Sequence, residues 1–244
     1  MIELKQIRKD YGERTVIKNQ SFSIKDKEFF VLIGPSGSGK TTLLKLINRL
    51  IDPTEGDVLL NGKSVMDYPL RKLRLNTGYV LQQIALFPNL TVAENIELVP
   101  IMKKWPKQIR KEQTTQLLSK VGLDPKIYAH RYPHELSGGE QQRVSIVRAI
   151  IGKPEILLMD EPFSALDPIS RRQLQDLIKT LHHELGLTIV FVTHNMEEAA
   201  YLGDRLCIMN HGEIIQTGTP DEIKSRPEND FVARFFSRGC DGFE

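Results

Sequence analysis

The sequence predicts an α/β fold with a mixed sheet core, an N-terminal antiparallel β subdomain and an inserted α-helical subdomain. Residues 29–33 form a continuous apolar run that ends at Gly34, which is typical of a fully buried strand. Strands of the same type are predicted at residues 156–160 and 188–192, and the segment between them has helical periodicity. A strand, a helix and a strand in this order form a βαβ unit, so we expect a parallel sheet.

Further strands are predicted before the first buried strand, at residues 1–24, and after the last one, at residues 206–216. Residues 1–24 alternate apolar and polar side chains around a turn at Tyr11-Gly12, which predicts a hairpin. Shorter strands are predicted at residues 206–209 and 213–216, separated by a turn at residues 210–212. The helix between the last two buried strands is expected to stop at Gly186. Its apolar face would be formed by Leu174, Leu177, Ile178, Leu181 and Leu185.

The middle of the chain is predicted to be a helical insert. Apolar residues between positions 88 and 150 recur with helical period, and no segment there resembles a buried strand. We therefore expect one domain over residues 1–237, with an α/β core at 1–87 and 151–237 and a helical subdomain at 88–150. Residues 238–244 are expected to form a C-terminal tail. Thr219-Pro220-Asp221-Glu222 carries the pattern of a helix start.

Composition excludes several classes of protein. Among 244 residues, 33 Lys and Arg stand against 31 Asp and Glu, and this net charge of +2 gives no electrostatic basis for binding nucleic acid. The longest apolar runs are far shorter than the about 20 residues that a membrane-spanning helix needs. The N-terminus has no apolar stretch, so we expect no signal peptide. Two cysteines, Cys207 and Cys240, form no disulfide framework and fit a reducing compartment.

Residues 34–41 match the phosphate-loop pattern G-x-x-x-x-G-K-T and lie between a buried strand and an apolar-periodic helix. Glycines let the backbone wrap closely around phosphate oxygens, and the helix N-terminus adds positive potential. We expect Lys40 to reach the β- and γ-phosphates and the Thr41 hydroxyl to bind Mg²⁺. The alternative is a glycine-rich structural turn.

Two carboxylates, Asp160 and Glu161, end a predicted buried strand. Ligands of open α/β sheets bind at the carboxyl ends of strands, so Asp160 is suited to hold Mg²⁺ and Glu161 to accept a proton from attacking water. His194 follows the strand at 188–192, and it would lie over the same edge if the two strands are neighbours. The alternatives are two surface acids flanking Pro162 and a structural histidine.

A second glycine motif, Ser137-Gly138-Gly139-Glu140, opens another predicted helix. Ser137 and Glu140 have the spacing of a capping box, which is a purely structural explanation. Two glycines at a helix start also expose N–H groups to an anion. We therefore expect a second phosphate-binding tip that is separate from the phosphate loop.

Together these residues resemble the motifs of the ATP-binding cassette ATPases, in order, over residues 1–237. The signature sequence combined with the other motifs is much more specific than a phosphate loop alone. By this resemblance, the aromatic residue that stacks on adenine is Tyr11, and the phosphate loop consists of Gly34, Pro35, Ser36, Gly37, Ser38, Gly39, Lys40, Thr41 and Thr42. The Q-loop glutamine is Gln82, and the signature consists of Leu136, Ser137, Gly138, Gly139 and Glu140. The Walker B strand is residues 156–160 with Glu161 as catalytic base, the switch histidine is His194, and the D-loop consists of Ser164, Ala165, Leu166 and Asp167.

This resemblance implies a P-loop NTPase that uses ATP and Mg²⁺ and works as a head-to-tail homodimer. ATP would lie between the phosphate loop of one copy and Ser137-Gly138-Gly139 of the other, with Asp167 also at the nucleotide. The implied catalytic residues are Glu161, His194, Gln82 and Lys40, and the implied metal ligands are Thr41, Gln82 and Asp160. In the family the Q-loop also contacts a membrane subunit.

Residues 82–96, with the segments around the signature and the D-loop, are similar to import-type members, in particular the bacterial ATPases for uptake of glycine betaine, carnitine and choline. This implies transmembrane permease partners, an extracytoplasmic substrate-binding protein and a place at the cytoplasmic face of the plasma membrane. Larger members carry C-terminal cystathionine-β-synthase domains, which we expect this chain to lack. The alternatives are an importer ATPase for another small solute, such as an amino acid or amino-acid betaine, a soluble cassette protein of translation or DNA repair, and an efflux or lipoprotein-release ATPase.

Overall fold

A computed structural model describes residues 1–238, so the predicted tail beyond residue 238, including Cys240, lies outside the described residues. The described chain divides into two compact units. Unit 1 contains residues 1–73 and the residues from 185 onward, and unit 2 contains residues 74–184. The predicted fold class is confirmed, because both units combine strands with helices and the N-terminal strands are antiparallel.

The regular structure of residues 1–238 consists of strands, α-helices and two short 3₁₀ turns. The strands are β1 (Ile2–Tyr11), β2 (Arg14–Ile24), β3 (Phe29–Ile33), β4 (Glu55–Leu60), β5 (Lys63–Ser64), β6 (Thr77–Val80), β7 (Ile156–Asp160), β8 (Thr188–Thr193), β9 (Arg205–Asn210) and β10 (Glu213–Gly218). The helices are α1 (Lys40–Ile47), α2 (Leu70–Leu75), α3 (Val92–Met102), α4 (Lys107–Lys120), α5 (Pro125–Tyr128), α6 (Gly138–Ile150), α7 (Pro168–Leu185), α8 (Met196–Leu202), α9 (Pro220–Ser225) and α10 (Asp230–Arg238).

The first sheet of unit 1 is antiparallel and has the order β2-β1-β4-β5. The predicted hairpin is confirmed, with Ile2 opposite Ile24 at one end and Tyr11 opposite Arg14 beside the turn. Ile2, Leu4 and Ile7 of β1 and Ile17 and Ile24 of β2 are fully buried. The period-2 pattern holds only in part, because the register shifts after Leu4 and because Phe22 is only partly buried. Strands β4 and β5 were not predicted.

The second sheet of unit 1 is mixed. Strands run in the order β10-β9-β3-β8, with β3 parallel to both of its neighbours and β10 antiparallel to β9. All five residues of β3 and all six of β8 are buried, as the continuous apolar runs predict. Ile33 lies opposite Thr193, so the segments that follow β3 and β8 leave the same edge of the sheet.

Unit 2 contains the parallel pair β6 and β7, in which Val80 lies opposite Met159. Strand β6 was not predicted, and helix α6 packs closely on it. A Cβ atom at Gly78 would lie 2.6 Å from the carbonyl oxygen of Ala149 in α6. Only a residue without a side chain allows this close approach of helix and strand.

The segment predicted to be a helical insert has helical regular structure. Between residues 88 and 150, all of which are described, the elements are α3, α4, α5, a 3₁₀ turn and α6. The boundaries of the predicted helical subdomain stay a prediction, since unit 2 also includes β6, β7 and α7. Helix α7 buries Leu174, Ile178 and Leu181, but Leu185 is 42% exposed because the helix ends there.

Within residues 1–238, capping boxes begin three of the α-helices. The two predicted from the sequence are confirmed, with Ser137 and Glu140 at α6 and Thr219 and Glu222 at α9. A third begins α3. Among the described residues, no helix has both the length and the apolar character needed to cross a membrane.

The close contact of α6 with β6 gives a stability prediction. Gly78→Ala should destabilise the protein by about 1–3 kcal/mol, because the added methyl group overlaps the Ala149 carbonyl. The matched control is Gly138→Ala, where a Cβ would meet no atom within 4 Å and the free energy of unfolding should change by less than about 1 kcal/mol. Chemical denaturation measures both, and equal effects of the two substitutions would contradict the packing described.

Candidate functional site

The phosphate-loop residues connect β3 to α1 in unit 1, as predicted. A Cβ at Gly34 would lie 2.1 Å from the Met209 carbonyl oxygen, and one at Gly39 would lie 2.5 Å from the side chain of Ile17. Gly37 and Gly39 also have positive φ values of 77° and 102°. Close neighbours and left-handed backbone therefore explain glycine at these positions. Ser36 and Gly37 are exposed at the tip, whereas Ser38 is buried.

Lys40 occupies the inside of this loop. Its ammonium group donates to the carbonyl oxygens of Gly34 at 2.8 Å and Pro35 at 2.9 Å, and it lies 3.5 Å from the Ser38 hydroxyl. The residue is only 5% exposed. Thr41 and Thr42 follow in the first turn of α1 and are half-buried. A buried cation inside a glycine-rich turn at a helix start fits a polyphosphate.

A basic depression of about 340 Å³ adjoins the tip of the loop, and it was not predicted from the sequence. Tyr11, at the start of the neighbouring hairpin turn, is 49% exposed, and the ammonium group of Lys9 lies 5.1 Å from the centre of its ring. A hydrogen bond from the Lys18 N–H to the Gly212 carbonyl joins the hairpin to the turn between β9 and β10. The depression is lined by Arg14, Thr15, Val16, Lys18, Gly37, His211 and Gly212.

His194 leaves the same sheet edge as the phosphate loop, because Thr193 and Ile33 are paired residues. Its turn is held by two neighbours. The Thr193 hydroxyl donates to Glu198 at 2.7 Å and accepts from the N–H of Asn195 at 3.0 Å, and the Asn195 side chain caps α8. The pairing within unit 1 therefore puts His194 at the edge of the phosphate loop. That His194 shares an edge with Asp160 and Glu161 stays a prediction.

The acidic strand end lies in unit 2, together with the Q-loop glutamine. Asp160, the last residue of β7, is 5% exposed, and Glu161 follows with a left-handed φ of 44°. This backbone conformation costs a non-glycine residue about 1–3 kcal/mol and is concentrated at functional sites. The Gln82 side-chain amide donates to the Glu161 carboxylate at 3.4 Å. Burial and then the negative charge of Asp160 raise the pKa of Tyr79.

Asp160 has the chemistry of a magnesium ligand, since it offers a nearly buried carboxylate at a strand end. In the described part of the chain, no three His, Cys, Asp or Glu side chains are grouped so that they could hold a metal ion. Besides a carboxylate, hydroxyl groups, phosphates and water are oxygen ligands that Mg²⁺ accepts.

The signature residues begin α6, and Glu140 holds them in place. One carboxylate oxygen of Glu140 accepts from the Ser137 N–H at 2.8 Å and from the Ser137 hydroxyl at 2.9 Å. The other accepts from the Tyr128 hydroxyl at 2.6 Å, which is the largest cause that lowers the pKa of Glu140. Gly138 is exposed, and no atom lies within 4 Å of where its Cβ would be.

Asp167 immediately precedes α7 and has a structural role that was not predicted from the sequence. Its carboxylate accepts from the N–H groups of Ile169 at 3.1 Å and Ser170 at 3.0 Å, so it caps the helix. These bonds, those to Ser170 first, lower the pKa of Asp167. Its predicted contact with nucleotide stays a prediction.

Comparison with known proteins gives the class of this fold and site. Residues 17–164 match the family model described as ABC transporter. The chain belongs to the ABC transporter family.

Two relatives and one solved structure show which members of the family this chain is similar to. The chain is 49% identical over 239 residues to the glycine betaine/carnitine/choline transport ATP-binding protein OpuCA of Bacillus subtilis, with 98% of this chain and 63% of that protein covered. The chain thus spans about three fifths of that relative. It is 43% identical to the glycine betaine uptake system ATP-binding protein YehX of Escherichia coli, covering 98% of this chain and 77% of that one. The structure is similar to dimeric ATP-binding cassette MJ0796 bound to ADP and Pi, with a TM-score of 0.81, 37% identity, and coverage of 90% of this chain and 99% of the other.

The glycines of the phosphate loop give a testable difference. Gly39→Ala should lower the free energy of unfolding by about 1–3 kcal/mol more than Gly37→Ala, because both add strain at positive φ but only Gly39 is packed against Ile17. Urea denaturation of the two variants measures the difference. The close packing of the loop on β2 would be wrong if Gly37→Ala were equally or more destabilising.

Proposed function

We propose that this chain is the ATP-binding and ATP-hydrolysing subunit of a bacterial importer for a quaternary-amine or betaine-type solute. The observation that carries the ATPase assignment is the loop of residues 34–39 that closes around the buried ammonium group of Lys40. The similarity to OpuCA and YehX, whose names give uptake of glycine betaine or related solutes, supports the cargo class.

The phosphate loop would bind the polyphosphate of ATP through backbone N–H groups and the N-terminus of α1. Lys40 would exchange its loop carbonyl partners for β- and γ-phosphate oxygens, and Thr42 would assist Thr41 at the phosphates. Tyr11 would stack on adenine, which its exposed ring permits. The bound chain segment then includes Gly34, Pro35, Ser36, Gly37, Ser38, Gly39, Lys40, Thr41 and Thr42.

We assign Thr41, Gln82 and Asp160 to Mg²⁺, which when bound would neutralise charge on the phosphates and orient them. Glu161 would accept a proton from the attacking water, and the bond from Gln82 would help to orient the Glu161 carboxylate. His194 would donate to the terminal phosphate as negative charge develops there. In phosphoryl transfer, positioning and charge stabilisation by such groups supply most of the catalysis.

Two copies would assemble head to tail around ATP. Ser137, Gly138 and Gly139 of one copy would bind the phosphates held by the loop of the other, with Glu140 holding the tip and Asp167 beside the nucleotide. Closing on ATP and reopening after hydrolysis would drive a pair of transmembrane permease subunits at the cytoplasmic face of the plasma membrane. An extracytoplasmic binding protein would select the solute, and no nucleic acid would take part. We keep the arrangement of an α/β core and a helical subdomain at residues 88–150 as part of this proposal.

The base assignment predicts that Glu161→Gln binds ATP but loses hydrolysis by at least about 100-fold, because no carboxylate remains to accept the proton of water. The trapped ATP state should accumulate as a dimer, measurable by size-exclusion chromatography with and without ATP. Glu155→Gln, at an exposed glutamate just before the same strand, is the control that should retain activity. Normal turnover by Glu161→Gln would refute the role of Glu161.

The loop assignment predicts that Lys40→Ala weakens ATP binding by about tenfold or more, since the variant loses one charge-assisted phosphate contact. Titration calorimetry under non-hydrolysing conditions measures the affinity. Lys25→Ala removes an exposed lysine of the same unit and should leave the affinity unchanged. An unaltered affinity in Lys40→Ala would mean that the loop does not hold the phosphates.

The import assignment predicts that the chain co-purifies with the membrane proteins encoded beside it. It also predicts that the associated binding protein binds betaine, carnitine or choline, which calorimetry measures. Spermidine, an amino acid and a sugar serve as controls. Recovery of the chain with ribosomes or DNA and without membrane proteins would contradict the transport role. Binding of only an unrelated solute would replace the cargo class while leaving the ATPase role intact.

A further inference from the structure

Tyr128 lies outside the motifs assigned above, yet its side chain contacts one of them. Helix α5 ends at Tyr128, and the phenolic hydroxyl donates to the Glu140 carboxylate at 2.6 Å across 12 residues of sequence. The intervening segment contains the 3₁₀ turn Pro133–Glu135 and the residues that lead into α6. The signature tip is therefore fixed from outside its own helix.

The two oxygens of the Glu140 carboxylate have separate tasks. Oε1 accepts from Tyr128, whereas Oε2 accepts from both the N–H and the hydroxyl of Ser137. Because both oxygens belong to one planar carboxylate, the Tyr128 bond at Oε1 restricts the rotation that would move Oε2 away from Ser137. The Glu140 N–H in turn donates to the Ser137 hydroxyl at 3.3 Å, which completes the capping box.

Charge also favours this arrangement. Glu140 carries a negative charge beside N–H groups that are expected to face phosphate, and two groups stabilise that charge. The Tyr128 hydroxyl is the largest cause that lowers the pKa of Glu140, and the positive charge of Arg131 acts in the same direction. The Arg131 guanidinium lies 4.7 Å from the centre of the Tyr128 ring, so it also packs on the side chain that makes the bond.

We propose that Tyr128 is a positioning residue for the second phosphate-binding tip: its hydroxyl holds Glu140 in the capping rotamer, and Glu140 thereby orients Ser137 and the N–H groups of Gly138 and Gly139. The tip is then ready to meet the polyphosphate bound by a second copy without first reorganising. This inference rests on the proposed function, because it assigns Ser137-Gly138-Gly139 to ATP held by a partner copy. A preorganised donor set binds more tightly than one that must be ordered on binding.

Tyr128→Phe in the Glu161→Gln background tests the inference, because it removes only the hydroxyl. The ATP concentration for half-maximal dimerisation, followed by analytical ultracentrifugation, should rise about tenfold, the scale expected for a hydrogen bond to a charged group. ATP affinity of the single copy at the phosphate loop should stay the same, since Tyr128 belongs to a different unit. The matched control is Tyr132→Phe, at an exposed tyrosine that stacks on His134, and it should shift neither quantity.

A double-mutant cycle with Glu140→Ala separates positioning from general destabilisation. If Tyr128 acts through Glu140, then Tyr128→Phe should have no further effect on dimerisation once Glu140 is alanine. Fully additive effects, or an unchanged dimerisation curve for Tyr128→Phe alone, would overturn the inference while leaving the proposed function standing. If the Glu161→Gln chain itself fails to dimerise with ATP, the head-to-tail part of the proposed function is wrong and the inference falls with it.

Discussion

The candidate site depends on the hydrogen bonds between the Lys40 ammonium group and the carbonyl oxygens of its own loop. The ammonium group lies nearly buried against the carbonyl oxygens of Gly34 and Pro35, so a positive charge is held at the centre of a loop that opens at its tip. A buried cation is costly unless it is paired, and here the loop's own carbonyls supply the partners. A polyphosphate would provide stronger, oppositely charged ones. Glycine at positions 34 and 39 makes the arrangement possible, because β9 and β2 leave no space for a side chain.

Parallel pairing then decides which residues share an edge of a sheet. In unit 1 the register of β3 with β8 makes the phosphate loop and His194 leave the same edge. In unit 2 the register of β6 with β7 does the same for Gln82 and the two acids, and the Gln82 amide contacts Glu161. Each unit therefore brings together two motifs that are far apart in sequence, as expected where parallel strands end. At the start of α6, hydrogen bonds from Ser137 to the Glu140 carboxylate, rather than strand pairing, hold the signature residues in place.

Much of this could be predicted from the sequence, and the exceptions have physical reasons. Continuous apolar runs identified β3, β7 and β8, because strands buried on both faces need them. Strand β6 was missed since its four residues include a glycine that only the contact with α6 explains. The basic depression was missed because His211 comes from a turn that is distant in sequence from the hairpin. Gln82, Tyr11 and Asp167 came from the family resemblance alone, and the contact of Tyr128 with Glu140 left no pattern in the sequence.

The central claim is that one chain carries a complete phosphate loop and a separate phosphate-binding tip that serves a second copy. Mixing two inactive variants tests it most directly: Lys40→Ala disables the loop, and Gly138→Asp places a carboxylate at the tip in a position where space is open. If the tip acts on the partner copy, mixed dimers contain one site with both halves intact, so ATPase activity should reappear on mixing. If loop and tip of the same chain served one nucleotide, every site would remain defective, and absence of recovered activity at all mixing ratios would contradict the account.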